Sequence, residues 1–299
     1  MQMSHTNPTR RRVCLIRVFR CLAVAGLWLL CGAIGVAHAA ELKRCIYVNQ
    51  PDGSTHGGPG QRNGILVLDV DRQFSFVKRI STPGILKVRQ GVSGGAGMRG
   101  IAVCRKSGRL YYSWHQGRNP GDDGAGCLDL KTDAVLWERS YEFTCERLQV
   151  STDGKTLFTP CHWTDTKCRK VHTLDPATGE PGREYDTGTA WPNHPIIVHP
   201  DGKRLFFPGA CLDLESGALR WQLTAKKGFG GFGGTCHVVL DHTGTRLYTG
   251  RHPEGDAVAT WIIDADKGEI VAKAPLDKQK HPELRGISEV VAFEPGGKH

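Results

Sequence analysis

"VHPDGKRLFFPG", Val198 to Gly209, reads as a strand, a turn built on Gly202, and a second strand with alternating apolar residues. Three other stretches share its plan: "CRKSGRLYYSW" (Cys104–Trp114), "VSTDGKTLFTPC" (Val150–Cys161) and "VLDHTGTRLYTG" (Val239–Gly250). The turn glycines are Gly108, Gly154, Gly202 and Gly244, with Gly297 as a fifth near the end. They recur 42 to 53 residues apart. A turn repeated at this spacing points to a repeat architecture.

A second motif runs out of phase with the first. It comprises "CLDLKTDAVLWE" (Cys127–Glu138), "HTLDPATGEPGRE" (His172–Glu184), "CLDLESGALRWQ" (Cys211–Gln222) and "WIIDADKGEIVAK" (Trp261–Lys273). "ILVLDVDRQFSFVKRI" (Ile65–Ile80) is the same unit earlier in the chain. In each, an Asp followed by small polar residues bonds to nearby backbone and forces a turn. Each period therefore holds two hairpins, or four short antiparallel strands. Such a unit is too small to cover its own faces. Packing units radially around an axis covers them, which predicts an all-β chain folded as a β-propeller of four-stranded blades.

The "PDGKRLFF" and "DLESGALRW" patterns resemble the YVTN-type repeat propellers, a bacterial group related to quinoprotein-like and lactonase-like propellers. The resemblance runs from about residue 45 to the end. It implies a fold and leaves activity open. The ends fit such a ring. "CIYVNQ" (Cys45–Gln50) reads as a second strand with no innermost strand before it, and "GISEVVAFE" (Gly286–Glu294) reads as an innermost strand with none after it. The expectation is about five blades closed by that terminal strand, with a truncated seven-bladed ring as the rival.

Ahead of the repeats, Arg10, Arg11, Arg12, Arg17 and Arg20 precede an apolar run from Cys21 to Ala37, and "AHA" follows at Ala37 to Ala39. This is the layout of a secretory signal, predicting a signal at 1–39 and a propeller domain at 40–299. A retained N-terminal anchor is the alternative. Either places the propeller in the periplasm or outside the cell. The whole chain carries 39 Lys+Arg against 30 Asp+Glu, and five of those arginines lie in the signal. The rest has ordinary surface charge and gives no ground for nucleic-acid binding.

Eight cysteines follow the signal, an even number suited to disulfides in an exported protein. Around Gly154, facing residues should have numbers summing to about 306, which pairs Cys145 with Cys161. Cys161 with Cys168 is the competing pair. Cys127 and Cys211 occupy equivalent places in blades separated by one other, which predicts buried free thiols or different partners.

Ligands of propellers meet the first residues of the innermost strands. Those positions are polar here: Arg99 in "GMRGIAV", Glu146 and Arg147 in "CERLQV", Asn193 and His194 in "PNHPIIV", His237 in "TCHVVL", and Arg285 in "LRGISEVV". They predict a channel-mouth site for a small-molecule or protein ligand. One reading has arginines and glutamates pairing to solvate a channel. A second is an anion site, with Arg99, Arg147 and Arg285 offering forked donors. A third makes His194, His237 and Glu146 metal ligands or acid–base groups. No phosphate loop, haem-attachment motif, nucleophile elbow or dinucleotide fingerprint is present, and the cofactor is left open. The favoured reading is a non-catalytic binding module at the cell envelope. The family resemblance also allows a lactonase-like hydrolase or a quinoprotein-like oxidoreductase.

Overall fold

The computed structural model describes residues 44–50, 64–84, 97–115, 121, 123–161, 167–190, 192, 196–224, 237–250 and 259–275. The chain divides into Met1–Arg44 and Cys45–His299, and all the strands belong to the second unit. The expected signal, the closing strand at Gly286–Glu294 and the turn at Gly297 lie outside the described residues.

Among the described residues, five antiparallel sheets follow one another along the chain. The first has three strands: β1 (Cys45–Gln50), β2 (Gly64–Asp69) and β3 (Ser75–Ile80). The second holds β4 (Gly97–Cys104), β5 (Arg109–His115), β6 (Asp123–Asp129) and β7 (Val135–Tyr141). The third holds β8 (Gln149–Val150), β9 (Leu157–Pro160), β10 (Lys170–Leu174) and β11 (Pro181–Asp186). The fourth holds β12 (Ile197–Val198), β13 (Arg204–Phe207), β14 (Ala210–Asp213) and β15 (Leu219–Gln222). The fifth holds β16 (His237–Leu240), β17 (Arg246–Gly250), β18 (Ala259–Asp264) and β19 (Ile270–Pro275). Within each sheet the strands pair in chain order, with no crossover. The first strands of successive sheets stand beside one another: β1 by β4, β4 by β8, β8 by β12 and β12 by β16. The fold is a β-propeller, and the sheets are its blades.

The strand period of two explains why each blade needs a neighbour on both sides. Along β5, Leu110, Tyr112 and Trp114 enter a core shared with Ile65, Val67 and Ile80 of the first blade. The intervening Tyr111 enters the next core, with Leu157 and Leu174 of the third blade. Along β13, Leu205 and Phe207 join Phe158 and Val171 of the third blade, while Phe206 joins Leu247 and Ile263 of the fifth. Four apolar layers thus lie between five blades, and the contribution of fully burying each such side chain is about 1.5–3 kcal/mol.

The two turn types are as the repeats predict. Gly108, Gly154, Gly202 and Gly244 all have positive φ, from 64° to 79°. Asp129, Asp175, Asp213 and Asp264 each accept two backbone N–H bonds from the residues two and three ahead. These bonds divert the chain from a straight strand into a tight return. In the first blade Asp69 makes the same bonds and caps a short 3-10 turn, Val70–Arg72.

One expectation is overturned. Cys145 does not pair with Cys161; the disulfide joins Cys161 to Cys168, with their Cα atoms 6.2 Å apart, and Cys145 is a buried free thiol. The register between β8 and β9 is Gln149↔Phe158 and Val150↔Leu157, one residue off the sum assumed from the sequence. A one-residue slip turns a side chain to the other face of the sheet. The loop before β10 instead returns Cys168 to Cys161. Cys127 and Cys211 are fully buried free thiols, and burial pushes both up to about 12.

Candidate functional site

Two blades bring opposite charges together beside their first strands. Arg99 stands on β4, third residue of "GMRGIAV", and Glu146 stands in the segment leading to β8. The Arg99 guanidinium grips the Glu146 carboxylate with both arms; Nε donates to Oε2 at 3.1 Å and Nη2 to Oε1. The Glu146 side chain is 2% exposed and that of Arg99 16%. Burial pushes the Glu146 carboxyl above its ordinary value, against the pull of Arg99, Arg147 and His115.

The backbone under Arg99 is held from two sides. Asn49 of β1 donates its amide to the carbonyls of Arg99 (3.1 Å) and Gly100 (2.9 Å). The Gly100 N–H donates to Ser113 Oγ of β5 at 2.7 Å. Gly100 also admits the segment carrying the other two charges. A Cβ there would lie 2.7 Å from Leu148 N and 2.8 Å from Arg147 C. The missing side chain is what lets the third blade's lead-in lie against β4. Glu146 is tied down by its own N–H, which donates to the Pro160 carbonyl at 3.3 Å.

Arg147 follows Glu146 and is partly buried. Burial pulls its guanidinium below the ordinary value; Glu146 opposes this and Arg99 adds to it. It makes no hydrogen bond with any described residue.

A second buried pair lies at the same end of the second blade. His115 ends β5 opposite Gly97 and is 2% exposed; Asp123 opens β6 and is 3% exposed. His115 Nδ1 lies 2.8 Å from both Asp123 carboxylate oxygens. The sequence reading did not single out either residue. The strand register carried the signal: Trp114 faces Gly124, so the next step outward sets His115 against Asp123.

Of the other predicted positions, Asn193, His194 and Arg285 lie outside the described residues. His237 opens β16, and its side chain is also outside them. Arg99, Glu146 and Arg147 are thus the predicted residues that the structure brings together. Among the described residues no group of three or more His, Cys, Asp or Glu is arranged to hold a metal ion. Among them, no helix is long and apolar enough to cross a membrane.

No family model matches the chain, and no curated protein matches it. Solved structures do. A chain of the mitotic checkpoint complex superposes with a TM-score of 0.53 at 10% identity, over 77% of this chain and 62% of that one. Hydrazine synthase of Kuenenia stuttgartiensis matches with a TM-score of 0.48 at 18% identity, over 63% and 52%. The Swd1 β-propeller domain of Myceliophteria thermophila matches with a TM-score of 0.43 at 20% identity, over 62% and 57%. The chain therefore spans 52% to 62% of these solved chains. At such identities the likeness bears on fold alone.

Proposed function

We propose that the chain is an exported propeller of the YVTN-repeat kind, periplasmic or secreted, that binds a small-molecule or protein ligand at its inner strand ends without catalysis. Residues 1–39 serve as the export signal and 40–299 as the propeller. The carrying observation is the buried Arg99–Glu146 pair. Desolvating two charges costs as much as their attraction returns, so a buried pair is a poor device for stability alone. Here two blades contribute to it, and Asn49 and Ser113 fix the backbone beneath. That is the construction of a preorganised site. The Cys161–Cys168 disulfide supports an oxidising compartment. A ligand screen on the purified chain tests the reading: a bound compound should lose affinity in Glu146→Ala, and a hit indifferent to that change would count against this site.

The His115–Asp123 pair favours a second reading, an enzyme of the lactonase-like or quinoprotein-like kind, because a carboxylate that orients an imidazole is a frequent acid–base unit. Metal analysis of the purified chain separates the two. A divalent ion retained by the parent chain and lost in Glu146→Ala, His194→Ala and His237→Ala would favour the enzyme.

A further inference from the structure

We infer that the face of the first blade turned away from the second is a self-association surface, on which the fifth blade of a second copy of this chain packs. Its occupancy does not depend on the proposed binding site.

Strand register makes the blades comparable residue by residue. The residue before each turn Asp pairs with Ile46 on β1, Leu110 on β5, Leu157 on β9, Leu205 on β13 and Leu247 on β17. The residue three before the Asp pairs with Val48, Tyr112, Thr159, Phe207 and Thr249 in the same order. In the second to fifth blades all these positions are buried, with at most 1% exposure. The four leucines there enter the core shared with the preceding blade. In the first blade Ile46 is 40% exposed and Val48 39%. Leu68 joins Ile46 to Phe76 in one row across the sheet, and Phe76 is exposed as well. The first blade thus presents to solvent the apolar positions that meet a neighbouring blade everywhere else. Contiguous apolar surface of this kind marks an interaction site.

The fifth blade carries the opposite half of the same seam. Tyr111, Phe158 and Phe206 pair with the residue two before the turn Asp and are buried against the following blade. Their counterpart Tyr248 and its partner Ile262 are only partly buried. Among the described residues no core joins the fifth blade to the first. The chain's own fifth blade leaves Ile46 and Val48 exposed, so the covering blade comes from another molecule. Four seams inside the chain already show that these two faces fit, and the contact between copies continues them head to tail, as a heterologous interface. One element of the inner seams is missing from it. Ala272 pairs with Ile262, where Trp137 pairs with Cys127 and Trp221 with Cys211, and both indoles donate to a carbonyl of the next blade. Association between copies is therefore weaker than the inner seams and depends on concentration.

Analytical ultracentrifugation of the purified chain over a concentration series should show its mass rising above that of the monomer. Ile46→Glu and Ala272→Glu both change exposed residues, one on each face. Each puts a charge into the contact and should raise the dissociation constant at least about tenfold. Mixed in equal amounts, the two variants should form a heterodimer with the parent's affinity, because the first keeps an intact fifth blade and the second an intact first blade. Circular dichroism checks that both fold, and Val48→Glu replaces Ile46→Glu if that variant does not. A chain that stays monomeric at every concentration would overturn the inference. A monomer that melts lower in Ile46→Glu would assign the face to the chain's own fifth blade, which overturns it equally. Undiminished association in Ala272→Glu would mean that two first blades meet each other and would refute the head-to-tail contact, as would variants that fail to associate when mixed.

Discussion

The indole of Trp137 lies over Gly179 of the next blade, so close that a Cβ at Gly179 would stand 2.6 Å from its Cε3. The indole N–H donates to the Pro176 carbonyl of the same turn at 3.1 Å. Trp221 repeats the arrangement one seam further on, with Nε1 on the Ala265 carbonyl at 3.0 Å and Gly268 beneath the ring. At the seam between them, Arg183 takes the place of the indole and donates to the Leu214 carbonyl at 3.1 Å, with Gly217 beneath it. In each case a side chain on the outer strand reaches the carbonyl just after the turn Asp of the following blade. Gly179 also has a φ of 75°. Gly179→Ala should therefore cost about 2–4 kcal/mol, from overpacking against a ring plus left-handed strain. Gly108→Ala offers the contrast: its φ is 64° but nothing lies within 4 Å of the added methyl, so strain alone should cost about 1–2 kcal/mol. Denaturant midpoints of the two variants check the difference, and equal losses would refute the ring contact.

The turn aspartates make the propeller acid-sensitive. Backbone N–H bonds, led by those from Thr132, Ser216 and Lys267, hold the carboxyls of Asp129, Asp213 and Asp264 below their ordinary value. A folded value below the unfolded 3.8 means that the unfolded chain takes up protons first as pH falls. The stabilisation is therefore present above 3.8 and is lost as pH drops through the folded values. Melting temperature should decline below that point. Asp213→Asn keeps the acceptor but does not titrate, so its melting temperature should fall less over the same range. An unchanged acid slope in that variant would contradict the assignment.

The fold was legible because a period of two in each strand and a turn signal in each hairpin both survive in the sequence. Tyr111 and Tyr112 enter different cores, and that alternation is visible in "RLYYSW". Cys145 was misread because turn position alone sets a register to within one residue, and one residue decides the face. Arg99 and Glu146 do meet across neighbouring blades, with Arg147 next to Glu146 in the chain. The repeat phase did not reveal the His115–Asp123 pair, whose members lie on neighbouring strands of one blade. Nor did it reveal that Gly100 makes room for Arg147, because close backbone approach leaves no local pattern.

The disulfide closes a short loop, with Cys161 and Cys168 seven residues apart. Chain-entropy arguments assign such a loop about 2 kcal/mol. Cys161→Ser and Cys168→Ser should each lower stability by about that amount. Cys145→Ser should leave the disulfide intact. Peptide mapping of the unreduced protein should recover Cys161 linked to Cys168 and Cys145 as a free thiol. A Cys145–Cys161 peptide would show that the strand register differs from the one described.

The Arg99–Glu146 pair makes a sharper prediction, because deleting one half differs from deleting both. Arg99→Met leaves a buried carboxylate stripped of its forked partner, and such broken pairs cost about 3–5 kcal/mol. Glu146→Leu leaves two guanidiniums side by side and should be comparably unstable. The double variant Arg99→Met/Glu146→Leu removes both desolvation costs and fills the space with apolar volume. It should be more stable than Arg99→Met alone by at least about 1 kcal/mol, with a coupling energy of about 1–3 kcal/mol in the double-mutant cycle. Additive single losses would mean that the pair is solvated and that the closure of this site by two blades is wrong. A coupled cycle accompanied by lost ligand binding in the otherwise stable double variant would separate the pair's role in recognition from its role in folding.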